Sequence, residues 1–136
     1  MQISQEQNHL SYSIRAYASG QVDIIIPTTE VPDTEQGSRF DTLTTSFIML
    51  PKRLIRDWPP QTLSDLAGHH LEVLLQHSPE VVLLGTGNTL IFPDMEIMTG
   101  FMEQGIGFEV MDNAAACRTY NILMNEGRHV ALAILM

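Results

Sequence analysis

A chain of 136 residues with 44% hydrophobic side chains is long enough for a packed core and fits a single globular domain, 1–136. Its 16 Asp and Glu outweigh 7 Lys and Arg, and a net charge of −9 argues against general nucleic-acid binding, which draws its affinity from cationic contacts to phosphate. No apolar run approaches the roughly 18 residues of a membrane helix, so no membrane insertion is expected. The lone Cys117 makes neither an internal disulfide nor a zinc motif, which points to a reducing, cytoplasmic compartment.

In chain order, residues 1–10 read as a polar tail, with neither the cationic start nor the apolar stretch of a signal peptide. Residues 11–57 read as β-rich. YSIRAYA (12–18) and VDIII (22–26), joined through Ser19-Gly20, predict a hairpin. TTEVPDTEQGSR (28–39) is polar loop. TLTTSFIML (42–50) predicts one strand, stopped by Pro51. The basic cluster Lys52, Arg53 and Arg56 could grip an anionic group or an acidic partner patch, but reads more simply as an exposed edge or turn.

From residue 62 the pattern alternates. Thr62, with Asp65 three positions later, predicts a helix start; Leu63, Leu66, Ala67, Leu71, Leu74 and Leu75 then share one face. VVLL (81–84) is a buried strand. Asp94 caps a second helix, whose Met95, Met98, Phe101 and Met102 predict an inward apolar stripe. FEVM (108–111) is a strand. Asp112 or Asn113 caps a third helix that turns Ala116, Tyr120, Leu123 and Met124 inward, and HVALAILM (129–136) closes the chain as a strand. The order α-β-α-β-α-β predicts parallel strands joined by right-handed crossovers and buried on both faces. The expected fold class is α/β: a mixed sheet with a parallel C-terminal half, plus a smaller antiparallel N-terminal β layer.

In such sheets ligands settle beyond the carboxyl ends of the strands. The turn Gly85-Thr86-Gly87-Asn88 follows strand 81–84, and Asn113 follows strand 108–111, so both turns fall at one sheet edge if the strands are neighbours. Arg118, in the second turn of the third helix, is the polar candidate there. Its guanidinium could take a carboxylate or phosphate in bidentate fashion. The candidate ligand site is therefore Gly85, Thr86, Gly87, Asn88, Asn113 and Arg118, with a small anion as its ligand. The bland alternatives are that the glycines serve a tight strand exit and that Arg118 pairs with Asp94 or Glu109. Leu90 stands where a dinucleotide fingerprint needs glycine, and no G-K-[ST] follows, so both nucleotide motifs are rejected. Cys117 lies among alanines without a base and reads as a small core residue. His70 reads as a satisfied core or boundary histidine, and His69 with Glu72 falls short of the three or four ligands a metal needs. No catalytic residue, metal or cofactor is expected.

The segment 83–135 carries three further signals in order: GTG (85–87), GIGFEVMDN (105–113), and ACRTYN followed by EGR (116–121, 126–128). Together they resemble an uncharacterised family that spans bacteria, archaea and mitochondria. It includes the mitochondrial complex I assembly factor 3 proteins and an adipogenesis-associated protein. The resemblance implies an α/β fold combining a mixed sheet with a smaller β layer; the family's mitochondrial branch is associated with assembly of respiratory complex I through protein partners, a role that does not simply transfer to this chain. It supplies no catalytic residues. The expected function is a small, non-enzymatic protein-binding module that docks on a partner or on itself. The alternative is a small-anion binder or an enzyme using the crevice at Gly85-Thr86-Gly87.

Overall fold

A computed structural model of the chain describes residues 10–30 and 39–136. All of the expected polar tail but Leu10, and most of the loop 28–39, therefore lie outside the described residues. The hairpin forms as expected: β1 (Ser13–Ala18) pairs antiparallel with β2 (Gln21–Ile25), and β3 (Phe40–Leu43) adds to β2, giving a three-stranded sheet.

The stretch 42–50 is not one strand. β3 ends at Leu43, and β4 (Phe47–Leu50) begins in a second, five-stranded sheet. Side-chain and backbone oxygens hold the chain where it changes sheet. Ser46 Oγ accepts from Met136 N–H at 2.8 Å, Ser46 C=O accepts from Trp58 N–H at 2.9 Å, and Thr45 Oγ1 donates to Asp57 at 3.0 Å. A strand moving between packed sheets needs such a bend. After Pro51, β5 (Arg53–Ile55) returns along β4 as an edge strand. The basic cluster is thus an edge and a turn, and Arg56 pairs with Asp41 at 2.7 Å.

The first helix also starts later than its sequence suggests. The Asp65 carboxylate accepts from the N–H groups of Gln61 and Thr62, both at 3.2 Å, which closes a short 3-10 turn over Leu63–Asp65. The backbone then extends through Leu66 and Ala67, and α1 runs Gly68–Gln76. His70 Nδ1 accepts from Ala67 N–H at 3.0 Å, so the half-buried imidazole caps this helix. Burial, aided by the neighbouring His69, holds His70 below its ordinary imidazole value.

The rest alternates as expected: β6 (Val81–Gly85), α2 (Met95–Met102), β7 (Gly107–Met111), α3 (Asn113–Asn125) and β8 (Val130–Ile134). The sheet order is β5-β4-β8-β6-β7. β6 lies parallel to both β7 and β8, while β4 runs antiparallel to β8 and β5. Alternate side chains divide this sheet between two cores. Phe47, Met49, Val81, Leu83, Leu132 and Ile134 face α3 and the small sheet. Ile48, Leu50, Val82, Leu84, Ala131 and Ala133 face α1 and α2. Burial on both faces explains the unbroken apolar runs of β6 and β8.

One stripe is corrected. Phe101 is buried on α2 and Met98 is half-buried, but Met95 is 80% and Met102 63% exposed. These two lie seven residues apart on one outward face, and neither is core filler.

Candidate functional site

The carboxyl ends of β6 and β7 share one edge, because Val81–Gly85 pairs in parallel with Gly107–Met111. That edge brings Gly85, Thr86, Gly87, Asn88 and Asn113 together. Asn113 opens α3, where the Asp112 carboxylate accepts from Ala115 N–H at 2.8 Å and caps the helix. The Asn113 side chain is 2% exposed. Its Oδ1 accepts from Gly87 N–H at 2.9 Å, and its Nδ2 donates to Leu135 C=O at 3.0 Å. The Asn113 N–H donates to Gly87 C=O at 2.8 Å, completing a reciprocal pair.

This lock needs both glycines. A Cβ on Gly85 would stand 2.4 Å from Asn113 Oδ1 and 2.6 Å from Ile134 Cδ1. Gly87 has φ +109°, a left-handed backbone that side chains disfavour. Thr86 N–H donates to Met111 C=O at 3.0 Å. The Thr86 hydroxyl donates to Thr89 C=O at 2.7 Å and accepts from Ile91 N–H at 3.1 Å. The N–H groups of Thr86 and Gly87, which a phosphate cradle would need, are therefore already engaged, by Met111 C=O and Asn113 Oδ1.

A cleft of about 360 Å³ lies beside this turn. Thr86, Gly87, Asn88 and Asn113 line it with Tyr17 and Gln61, while buried Gly85 stands behind. Asn88 ties it to the N-terminal hairpin: Tyr17 OH donates to Asn88 Oδ1 at 3.1 Å, and Asn88 Nδ2 donates to Ser19 Oγ at 2.9 Å. Its polar side chains are hydroxyls and amides, with no carboxylate, imidazole, thiol or amine side chain in the lining.

Arg118 is not brought to this cleft. It is exposed on α3 and lines a separate groove of about 280 Å³ against β1, with Ile14, Arg15 and Asn121. Among the described residues it pairs with neither Asp94 nor Glu109. Beneath that groove Cys117 is 2% exposed, and burial pushes its thiol up to about 12. His129 does not serve it, since its ring bonds to the His77 carbonyl at 2.8 Å. The motif residues Tyr120 and Asn121 bind the layers together. Tyr120 OH donates to Tyr12 C=O at 2.8 Å. The Asn121 carboxamide accepts from Ile14 N–H at 2.9 Å and donates to Ile14 C=O at 2.7 Å. Among the described residues no three His, Cys, Asp or Glu side chains gather as a metal would require.

A different feature dominates this end of the molecule. Between the locked turn and α2, the loop exposes Leu90 (49%), Ile91 (49%) and Phe92 (67%), and Met95 stands beside them. Of these, Ile91 and Phe92 line a groove of about 460 Å³ together with Thr62, Leu63 and Leu66 at the 3-10 turn and Ile97 of α2. Large apolar side chains exposed together, beside a groove, mark interaction surfaces more often than isolated ones do. The sequence signal was an apolar triplet, LIF, inside a loop. Leu63 and Leu66 have the spacing of a helix face, but the 3-10 turn and the extended backbone after it set them in the groove wall instead.

These features define the class: a mixed-sheet α/β protein with a carboxamide-locked turn and an apolar rim above its parallel strands. The chain belongs to the family described as a protein of unknown function, DUF498/DUF598, whose pattern matches residues 29–135. A solved structure from Xanthomonas campestris is similar at 36% identity and TM-score 0.75, covering 92% of this chain and 84% of that one. A Francisella tularensis subsp. holarctica protein named 13 kDa major membrane protein is 38% identical over 66 residues, covering 48% of this chain and 54% of that protein. The Xenopus tropicalis NADH dehydrogenase [ubiquinone] 1 alpha subcomplex assembly factor 3 is 30% identical over 89 residues, covering 64% of this chain and 48% of that protein. The chain thus spans about half the length of these curated relatives. No helix among the described residues is long and apolar enough to cross a membrane.

Proposed function

We propose that this chain is a protein-binding module that acts in the cytoplasm and docks through its apolar rim, without a nucleic-acid ligand. The observation that carries the reading is the exposed group Leu90, Ile91, Phe92 and Met95 beside a groove of about 460 Å³. Leu90 and Ile91 are 49% and Phe92 67% exposed, so a partner that covers them recovers part of the roughly 1.5–3 kcal/mol that full burial of a large apolar side chain is worth, less the cost of association. Kinship with a protein named as an assembly factor supports the same direction, since assembly proceeds through protein contacts.

A second reading, a small ligand beside Thr86, Gly87, Asn88 and Asn113, is favoured by the cleft of about 360 Å³ at that turn. It would use hydroxyl and amide groups, with Arg118 standing apart.

Affinity purification from the native host tests the two. Tagged chain and its Phe92→Ser variant are compared by quantitative mass spectrometry. The module reading expects a partner enriched with the unaltered chain and depleted with the variant. No partner above background, together with a metabolite retained by the purified protein, would favour the cleft.

A further inference from the structure

The charge of the chain is divided as sharply as its layers. Between Arg56 and Arg118 there is no Lys or Arg, yet this span holds nine of the 16 carboxylates. It contains α1, α2, β6 and β7, and both walls of the apolar groove. Asp94 lines that groove, while Glu96 and Asp65 are exposed on the elements that form it. Hydrogen bonds from the Gln61 and Thr62 N–H groups keep the Asp65 carboxyl below its usual range, so it stays ionised. The rim is therefore apolar at its centre and anionic around it, with no cation from its own span.

We propose that the rim takes an amphipathic segment of a partner protein, with an apolar stripe for Leu90–Phe92 and Met95 and with Lys or Arg flanking that stripe. This rests on the protein-binding reading and adds the partner's chemistry. Apolar contact supplies the affinity; opposite charge supplies orientation and rejects acidic competitors. The exposed Met95 and Met102, adaptable and polarisable, suit a helical face better than a rigid pocket would.

A second copy of the chain fits less well, because five of its seven cations are already engaged; Arg53 and Arg118 remain exposed without an ion-pair partner among the described residues. Arg56 pairs with Asp41, Arg128 lies 3.7 Å from Glu80, and Lys52 donates to the Leu10 carbonyl. Arg15 and Arg39 lie over the Phe40 ring at 4.3 and 5.9 Å.

The test uses two fluorescent peptides of about four helical turns, identical in a leucine stripe and flanked by lysines in one and glutamates in the other. Each is titrated with the full chain by anisotropy. The lysine peptide is expected to bind at least about tenfold tighter, a preference that salt and the Asp94→Asn/Glu96→Gln variant both reduce. Phe92→Ser, at an exposed position, is expected to weaken binding about tenfold while leaving circular dichroism and the urea midpoint unchanged. Equal affinity for the two peptides, no binding of either, or indifference to Phe92→Ser overturns the proposal. So does self-association, or attachment to phosphatidylcholine vesicles, that Phe92→Ser abolishes. If a native partner depends on Phe92 while the peptides show no charge preference, the inference fails and the protein-binding reading stands.

Discussion

Replacing Gly85 by alanine probes how tightly the turn after β6 is built. The new methyl would stand 2.4 Å from Asn113 Oδ1 and 2.6 Å from Ile134 Cδ1, where ordinary contact begins at 3.4 Å. Ile134 can give way, because the offending atom ends a flexible side chain. Asn113 Oδ1 cannot move far, being held by Gly87 N–H at 2.9 Å while Nδ2 of the same group is anchored to Leu135 C=O at 3.0 Å. Overpacking of this kind costs about 1–3 kcal/mol, and loosening one buried hydrogen bond adds about 1 kcal/mol. A total of about 2–4 kcal/mol is a large share of the roughly 5–15 kcal/mol that holds a domain folded. Urea unfolding followed by Trp58 fluorescence reads it as a lowered midpoint at constant slope. Asn113→Ala alone should cost a similar amount, since it leaves Gly87 N–H and Leu135 C=O without partners. In that background the Gly85→Ala penalty should shrink by at least about 1 kcal/mol, because its main obstacle is gone. A cost for Gly85→Ala below about 0.5 kcal/mol, or strict additivity of the pair, would refute the lock.

Three further outcomes are expected. Asn121→Ala removes both hydrogen bonds to the Ile14 backbone, costs about 1–3 kcal/mol, and speeds exchange of the Ile14 amide; unchanged protection there would contradict its role as the tie between α3 and β1. Cys117 should resist alkylation in the folded chain, and because its thiol titrates near 9 when unfolded but about 12 when folded, stability should decline as pH rises across that window. A Cys117→Ala variant flattens that decline, and rapid alkylation under native conditions would count against it. His70 is neutral when it caps α1 and titrates lower in the fold, so stability should be complete above about 6.5 and fall as acid protonates the unfolded chain first. His70→Gln keeps a cap acceptor without the titration, and its acid limb should be flatter; an unaltered limb assigns the loss elsewhere.

The parallel half of the fold was legible because β6 and β8 are buried on both faces, which writes an unbroken apolar run into the sequence. The break in 42–50 was not, since the groups that bend the chain at Ser46 come from Trp58 and Met136, far along the sequence. Nor was the late start of α1, where Asp65 turned its carboxylate back to the Gln61 and Thr62 N–H groups instead of capping a continuous helix. Met95 and Met102 share helical spacing with Met98 and Phe101, and spacing alone does not say which side of a doubly apolar helix faces inward.

At the candidate site, the shared edge of β6 and β7 placed the glycine turn against Asn113, as topology implied. Arg118 follows Asn113 by five residues, a rotation of about 140° around the helix axis. With Asn113 turned toward the strand ends, Arg118 faces the groove along β1 instead. The rim is not legible in the sequence, because an apolar loop has no periodicity to reveal it.

Site-specific photo-crosslinking in the native host addresses the rim most directly. A photoreactive phenylalanine analogue placed at position 92, 67% exposed on the rim, should yield a discrete adduct with another protein. The same probe at position 122, 59% exposed on α3, should not. Adducts of equal yield at both positions, or at 122 alone, would contradict docking through the rim.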